Sequence, residues 1–425
     1  MIIHAARALL PTGIVPAEIH IEGDYIVSVS RLDTTHFAAR TAPSALLFPG
    51  LVDTHVHVNE PGRTEWEGFA TAGAAAAAGG ITTIVDMPLN SVPPTTTVKG
   101  LEAKRAAAGA SIANVEFWGG VVPGNAGELE ALADAGVRGF KCFMSPSGVE
   151  EFAHVGVGDL RLALPILARR GLPLLVHAEW PPALHGVAAS ADPRSYATWL
   201  SSRPARAEVD AIALLIALCR EFGARIHVVH VAAAEALPVL AAARAEGLPI
   251  TAETCPHYLT FCAEEIRDGD TQFKCAPPIR DRAHRDALWR ALDEGVLDLV
   301  ATDHSPCPPA MKGGGDFIAA WGGIASLELS LAATWTAASA RGFPLERVAE
   351  WLCAAPARLA GLADRGVIAP GRRADLVEWD PDATFVVNQD DLHQRHKCTP
   401  YDGLTLRGRV LKTLVGGRVV YGDAE

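Results

Sequence analysis

Val52-Asp53-Thr54-His55-Val56-His57-Val58-Asn59-Glu60-Pro61-Gly62-Arg63 carries two histidines, two residues apart, at the end of an apolar run. In an extended strand residues i and i+2 share a face, so both imidazoles project together. Neutral imidazoles crowded at one strand end suit a divalent metal. A His-x-His pair alone is a weak signal. Its weight comes from the later apolar runs that end in the same kind of side chain.

Working outward, strand-like runs fall at 47–53, 81–87, 115–121, 137–143, 172–178, 225–231, 248–254 and 297–303. Between most of them lie Ala/Leu-rich stretches with helical spacing, such as 207–222 and 234–245, and Ala70 to Ala78 reads as a tightly packed helix. Alternating β and α units predict an α/β fold, a (β/α)8 TIM-like barrel rather than an open sheet. The two ends read differently. Residues 1–46 hold short β-like pieces (Ala17 to Ile21, Tyr25 to Val29), and so does the tail (Ala374 to Trp379, Arg409 to Val415, Arg418 to Tyr421). Gly416-Gly417 between the last two is a hairpin signal. The expected organisation is a barrel over 47–364 and one small β-sandwich domain built from both termini, 1–46 with 365–425.

The length of 425 residues accommodates a barrel of about 250 residues or more plus that second unit. Charged residues make up 20% and the net charge is −12, which disfavours nucleic-acid and anionic-membrane partners. The eight cysteines include no Cys-x-x-Cys pair and read as reduced, mostly buried thiols. Pro11, Gly13 and Pro16 interrupt the N-terminal stretch, and no long apolar run occurs, so neither a secretion signal nor a membrane span is expected. A cytoplasmic location with a small-molecule substrate is the expectation.

In such a barrel, chemistry gathers at the C-terminal ends of the strands. There the sequence places His55, His57, Lys141, His177, His230 and Asp303, from candidate strands 1, 4, 5, 6 and 8. His230 competes with His227, three positions away and thus on the opposite face; His230 is assigned inward and His227 to the helix layer. Asp303 has a helix cap as its alternative role. His304, on the opposite face, reads as a supporting residue. Lys141 is the odd member, since an ammonium repels cations. Yet Val137 to Phe143 is too apolar for an open surface, and a buried lysine reacts as the free amine. Carbon dioxide would convert it to a carbamate, an anion with two oxygens able to bridge two metals. Two divalent ions against carbamate, Asp303 and a bridging hydroxide leave one residual positive charge, favourable to a developing oxyanion. Two metals roughly 3.5 Å apart generate hydroxide near neutral pH and polarise a carbonyl. Asp303 could carry the proton from that hydroxide to a leaving nitrogen. Hydrolysis of an amide-like bond is the reaction class.

The residues resemble those of the cyclic amidohydrolases, the group of dihydroorotases, hydantoinases and allantoinases. The resemblance runs over nearly the whole chain, including Gly371 to Asp380. Asn59 to Phe69, Asp86-Met87-Pro88-Leu89-Asn90-Ser91, Phe140 to Phe143, Ser147-Gly148-Val149, Asp303 to Cys307 and Ala320-Trp321-Gly322-Gly323-Ile324 are similar to the allantoinase branch. It implies that His55, His57, His177 and His230 bind metal, that Lys141 is carboxylated and bridges, and that Asp303 is ligand and proton shuttle. It also implies opening of the hydantoin ring of allantoin to allantoate by a metal-bridging hydroxide. Zinc is the usual metal, with iron, manganese or cobalt able to fill a mixed N/O site. A homo-oligomer, commonly a tetramer, is implied as well. The alternative is a hydantoinase or dihydropyrimidinase type of ring hydrolase. Dihydroorotases carry Arg, Asn and His where this chain has Asn59, Ala276 and Cys307, so three contacts for an anionic substrate are missing. Ala310 departs from an acidic residue usual in the allantoinase pattern, in a loop with Gly313-Gly314-Gly315. Asn59, Ser147, Ser305 and the backbone around Cys275 are further candidate substrate contacts, the two serines having turn formation or capping as their alternative.

Overall fold

The computed structural model of the chain describes residues 1–32 and 44–423; the rest of the two terminal segments lies outside the described residues. In chain order the strands are β1 (Ile2–Leu10), β2 (Gly13–Glu22), β3 (Tyr25–Arg31), β4 (Leu46–Pro49), β5 (Leu51–Val56), β6 (Ile81–Asp86), β7 (Asn114–Phe117), β8 (Gly119–Gly120) and β9 (Phe140–Phe143). They continue with β10 (Leu174–His177), β11 (Ile226–Val228), β12 (Ile250–Thr254), β13 (Leu299–Val300), β14 (Leu376–Val386), β15 (Thr405–Val415) and β16 (Arg418–Tyr421).

The runs between residues 51 and 303 form a TIM-like barrel of parallel strands. β5, β6 and β7 pair in one ladder, and β8 through β13 pair in a second. β7 and β8 occupy one barrel position, interrupted at Trp118, whose N–H reaches Asp86 O at 3.1 Å. The seam between first and last strands closes where His57 N donates to His304 O at 2.8 Å and Val56 bridges His304. Helices such as Val157–Arg170, Ala205–Phe222 and Arg282–Asp293 cover the outside. The barrel interior is apolar below the site, with Val52, Val85, Leu175, Val229 and Leu299 in one cluster.

Both termini join in one mixed sheet of seven strands, in the order β16-β15-β14-β4-β1-β2-β3. β4 lies between the two halves, antiparallel to β14 and parallel to β1. The run expected as a single first strand, 47–53, is in fact divided at Gly50: its first half belongs to this sheet and its second half enters the barrel. An unbroken apolar run carries no periodicity that would show such a division. Gly50 is required because a Cβ there would stand 2.3 Å from Thr82 Oγ1. Phe48 and Trp379 (5.3 Å) and Trp335 and Trp379 (5.7 Å) pack edge to face between sheet and barrel. The alanine-rich helix Phe69–Ala78 is buried there, and Thr413 Oγ1 reaches Ala77 O at 2.7 Å. Small side chains permit that approach. No described helix is long and apolar enough to cross a membrane.

One fully buried ion pair fixes the loop after the His pair. Lys104 Nζ lies 2.6 Å from Asp86 Oδ2 and donates to Met87 O at 2.6 Å, while Asp86 Oδ1 accepts the Val58 N–H at 2.9 Å. Removing one partner strands the other charge in the core. Lys104→Met is therefore expected to lower unfolding free energy by about 3–5 kcal/mol, read as a lower urea midpoint at unchanged slope.

Candidate metal centre

His55 is the penultimate residue of the barrel strand β5, and His57 follows its end. Lys141 stands on β9 and His177 ends β10. His230 and Asp303 lie just past β11 and β13, both with left-handed backbone (φ 42° and 46°). Non-glycine residues rarely hold that conformation, and where they do, function is a common reason.

The six side chains come to one mouth of the barrel. Asp303 Oδ1 lies 3.1 Å from His55 Nε2 and 3.3 Å from His57 Nε2. His177 Nδ1 lies 3.0 Å from His230 Nε2. His55, His230 and Asp303 offer ligand atoms within 4.8 Å of one another. Lys141 is buried, its Nζ 4.8 Å from the Phe143 ring centroid, and that ring stacks on His177 at 4.7 Å.

The residues fit a pair of divalent ions. Lys141 Nζ, His57 Nδ1 and His230 Nδ1 have no hydrogen-bond partner, although buried donors and acceptors are nearly always satisfied. Burial pushes His57 down to about 4, with Asp303 offsetting part, and holds His177 and His230 well below the usual range. These imidazoles are neutral lone-pair donors. Burial also lowers His55, but Asp303 and Glu253 outweigh it and raise it to about 9, so an ion held at Nε2 would replace the proton that faces Asp303 there. Burial brings the Lys141 amine down to about 8. Neutral imidazoles, a carboxylate and a reactive amine form a mixed N/O donor set.

Two buried carboxylates orient the rings. Glu253 Oε1 lies 2.5 Å from His55 Nδ1, and its Oε2 lies 2.9 Å from His227 Nε2. Burial opposes its ionisation, yet His55 and His227 hold the carboxyl well below the usual carboxylate range. An ionised Glu253 takes the Nδ1–H of His55 and turns the Nε2 lone pair to the centre. Glu179 Oε2, 2.7 Å from His177 Nε2, sets the opposite sense and leaves Nδ1 inward. Glu179 is itself paired with Arg203. Outer partners of this kind typically matter by a factor of about 10–100 in metal affinity. Glu253→Gln is expected to weaken metal binding by that order, measured by titration against a competing chelator.

The structure corrects the assignment of His227 to the helix layer: its ring is fully buried inside the barrel, on Glu253 and Thr251. The alternation argument failed because the strand ends at Val228 and the backbone inverts at His230. His304 does support, its Nδ1 accepting the N–H groups of Ser326 (3.1 Å) and Leu327 (3.2 Å).

Ser147, Cys275 and Ser305 line the cavity over the centre. Ser147 Oγ donates to Phe152 O at 2.6 Å, so its proton already holds its own loop. Asn59 is fully buried, does not line the cavity, and donates Nδ2 to Pro306 O at 3.4 Å. Its φ of 67° turns the side chain away from the direction that a strand would give it. Asn90, Arg203 and Trp321 line the cavity and were not anticipated. Asn90 and Trp321 stand inside motifs already noted. Arg203, the cap before Pro204, carried no sequence signal.

A model of the amidohydrolase family matches residues 46–420. The chain is 48% identical to an allantoinase of Streptomyces avermitilis, over 100% of this chain and 96% of that one. It is 44% identical to an allantoinase of Arabidopsis thaliana, over 100% of this chain and 88% of that one. Among solved structures it is similar to the L-hydantoinase of Arthrobacter aurescens, with 31% identity, a TM-score of 0.92, and coverage of 100% and 96%.

Proposed function

The chain belongs to the amidohydrolase family, and from that premise we propose that it opens the hydantoin ring of allantoin with water, giving allantoate. The observation that carries this reading is the 48% identity to an allantoinase along the entire chain. A hydrolase acting on cyclic amides is also what the hydantoinase likeness supports.

Our proposal assigns His55, His57, His177, His230, Lys141 and Asp303 as the residues that hold two divalent ions, zinc by preference. Such ions polarise an amide carbonyl and acidify water. The Lys141 amine would attack carbon dioxide and lose a proton, becoming an N-carboxylate that would supply the centre with a second anionic donor beside Asp303. Asp303 would accept the water proton at Oδ and pass it to the ring nitrogen. The carbonyl carbon gains the water oxygen, the ring C–N bond breaks, and the nitrogen leaves protonated. Ser147, Ser305 and the backbone at Cys275 stay proposed substrate contacts, together with Asn90; Asn59 would act through Pro306. A homo-oligomer, a tetramer by family resemblance, in the cytoplasm is the proposed setting.

The test is incubation of metal-loaded protein with allantoin, dihydrouracil and 5-substituted hydantoins. Allantoate formation with the highest kcat/KM is expected. Preference for dihydrouracil or a substituted hydantoin would assign the chain to the alternative ring hydrolases.

A further inference from the structure

Two lysines away from the metal centre end in the same short stretch of backbone. Lys274 Nζ donates to Ile318 O at 3.0 Å and Ala320 O at 2.5 Å. Lys312 Nζ donates to Trp321 O at 3.2 Å and Gly323 O at 2.5 Å. Four carbonyls between Ile318 and Gly323 thus turn to two ammonium groups. The same stretch is tied from its other side: Trp321 N reaches Met311 O at 2.7 Å, and Gly323 N reaches Lys274 O at 2.8 Å. Gly323 has no space for a side chain, since a Cβ would stand 2.3 Å from Ser305 O.

The stretch is a wall of the cavity. Trp321, Gly322 and Gly323 line it beside Ser305 and Cys275. The Trp321 ring sits edge-on to Trp66 at 4.8 Å. Lys274 also lies 4.3 Å from the Trp199 ring centroid, and the Trp199 indole N–H holds Cys275 O at 3.0 Å. One ammonium therefore bears on two parts of the same wall.

Holding carbonyls with ammonium groups is an expensive arrangement. Burial pulls both amines below their usual range, Lys274 to about 8, where Arg203 and Lys312 add repulsion. A stretch that needed only to turn could do so with glycine and backbone hydrogen bonds. Two desolvated charges on four peptide planes instead fix the rotation of those planes, which matters where a ligand must meet them.

We propose that Lys274 and Lys312 are positioning residues for substrate binding, locking the Ile318–Gly323 wall in the arrangement that receives the amide edge of the ring substrate. The inference rests on the ring-opening function proposed above. It separates two parts of the site: a metal centre that sets turnover and a lysine-held wall that sets substrate affinity.

The test is steady-state kinetics of the full, metal-loaded chain carrying Lys312→Met or Lys274→Met. KM for allantoin is expected to rise roughly tenfold or more, with kcat and the metal-to-protein ratio near the wild-type values. Lys312→Gln and Lys274→Gln, which keep a neutral donor, should fall between and serve where a Met variant does not fold. An unchanged KM in a folded variant overturns the proposal, as does loss of kcat or metal at constant KM. Failure of both substitution types to fold would assign these lysines to folding and overturn it equally. A wild-type chain inert towards allantoin would instead remove the function reading, so the two failures are told apart.

Discussion

Lys141→Ala is expected to leave a folded protein that retains at most one metal ion per chain and turns over allantoin at less than about a thousandth of the wild-type rate. Lys141 is fully buried, with a nitrogen that no hydrogen bond satisfies and an aromatic ring beside it. As an ammonium it would repel divalent ions and bring no compensating contact. Burial lowers its amine to about 8, so roughly one in ten is the free base at pH 7, against a negligible share for an ordinary lysine. The free base is the form that captures carbon dioxide. In the proposed scheme alanine would remove the carboxylate and leave the four imidazoles and Asp303 as donors, with one anion to offset two dications. Metal analysis checks the stoichiometry, and short carboxylic acids added to the variant should restore part of the rate by filling the space. Full activity in Lys141→Ala without such an acid would remove the carbamate from the scheme.

Asp303→Asn is expected to separate the metal ligation proposed for this residue from the proton transfer proposed for it. The amide oxygen can still face His55 Nε2 and His57 Nε2, which lie 3.1 and 3.3 Å from the native carboxylate. An amide cannot take a proton from water at any useful pH. Burial works against ionisation of Asp303, but His55 and His57 outweigh it and hold the carboxyl well below its usual range. The native group is therefore an ionised acceptor throughout the working range. A loss of about 10²–10⁴ in kcat is expected from removing a positioned proton carrier, with part of the metal retained. Normal turnover in that variant would exclude Asp303 as the shuttle.

How far the sequence reached follows from backbone geometry. The barrel was legible because each strand is a short apolar run followed by helix-forming residues, and the polar exceptions stand where those runs end. The strand alternation used to aim side chains holds only while the backbone is extended. Asn59 and His230 both have positive φ, and there the reading went astray: Asn59 turned from the cavity, and His227 proved to share the interior with His230. The partners from other strands were invisible for another reason. Glu253 meets His55 across 198 residues of sequence, and no local pattern marks a carboxylate that will be buried. No local pattern marks Lys274 and Lys312 either; only the fold carries them against carbonyls.

The narrow passage at Gly50 has a mechanical consequence. The peptide leaves the middle of the seven-stranded sheet and, one glycine later, becomes the strand that bears the histidine pair, with Thr82 packed against that glycine. A side chain at this junction would need room that does not exist. With a single residue between the two strands, any displacement of the sheet would be passed directly to the strand that carries the first metal-centre histidine.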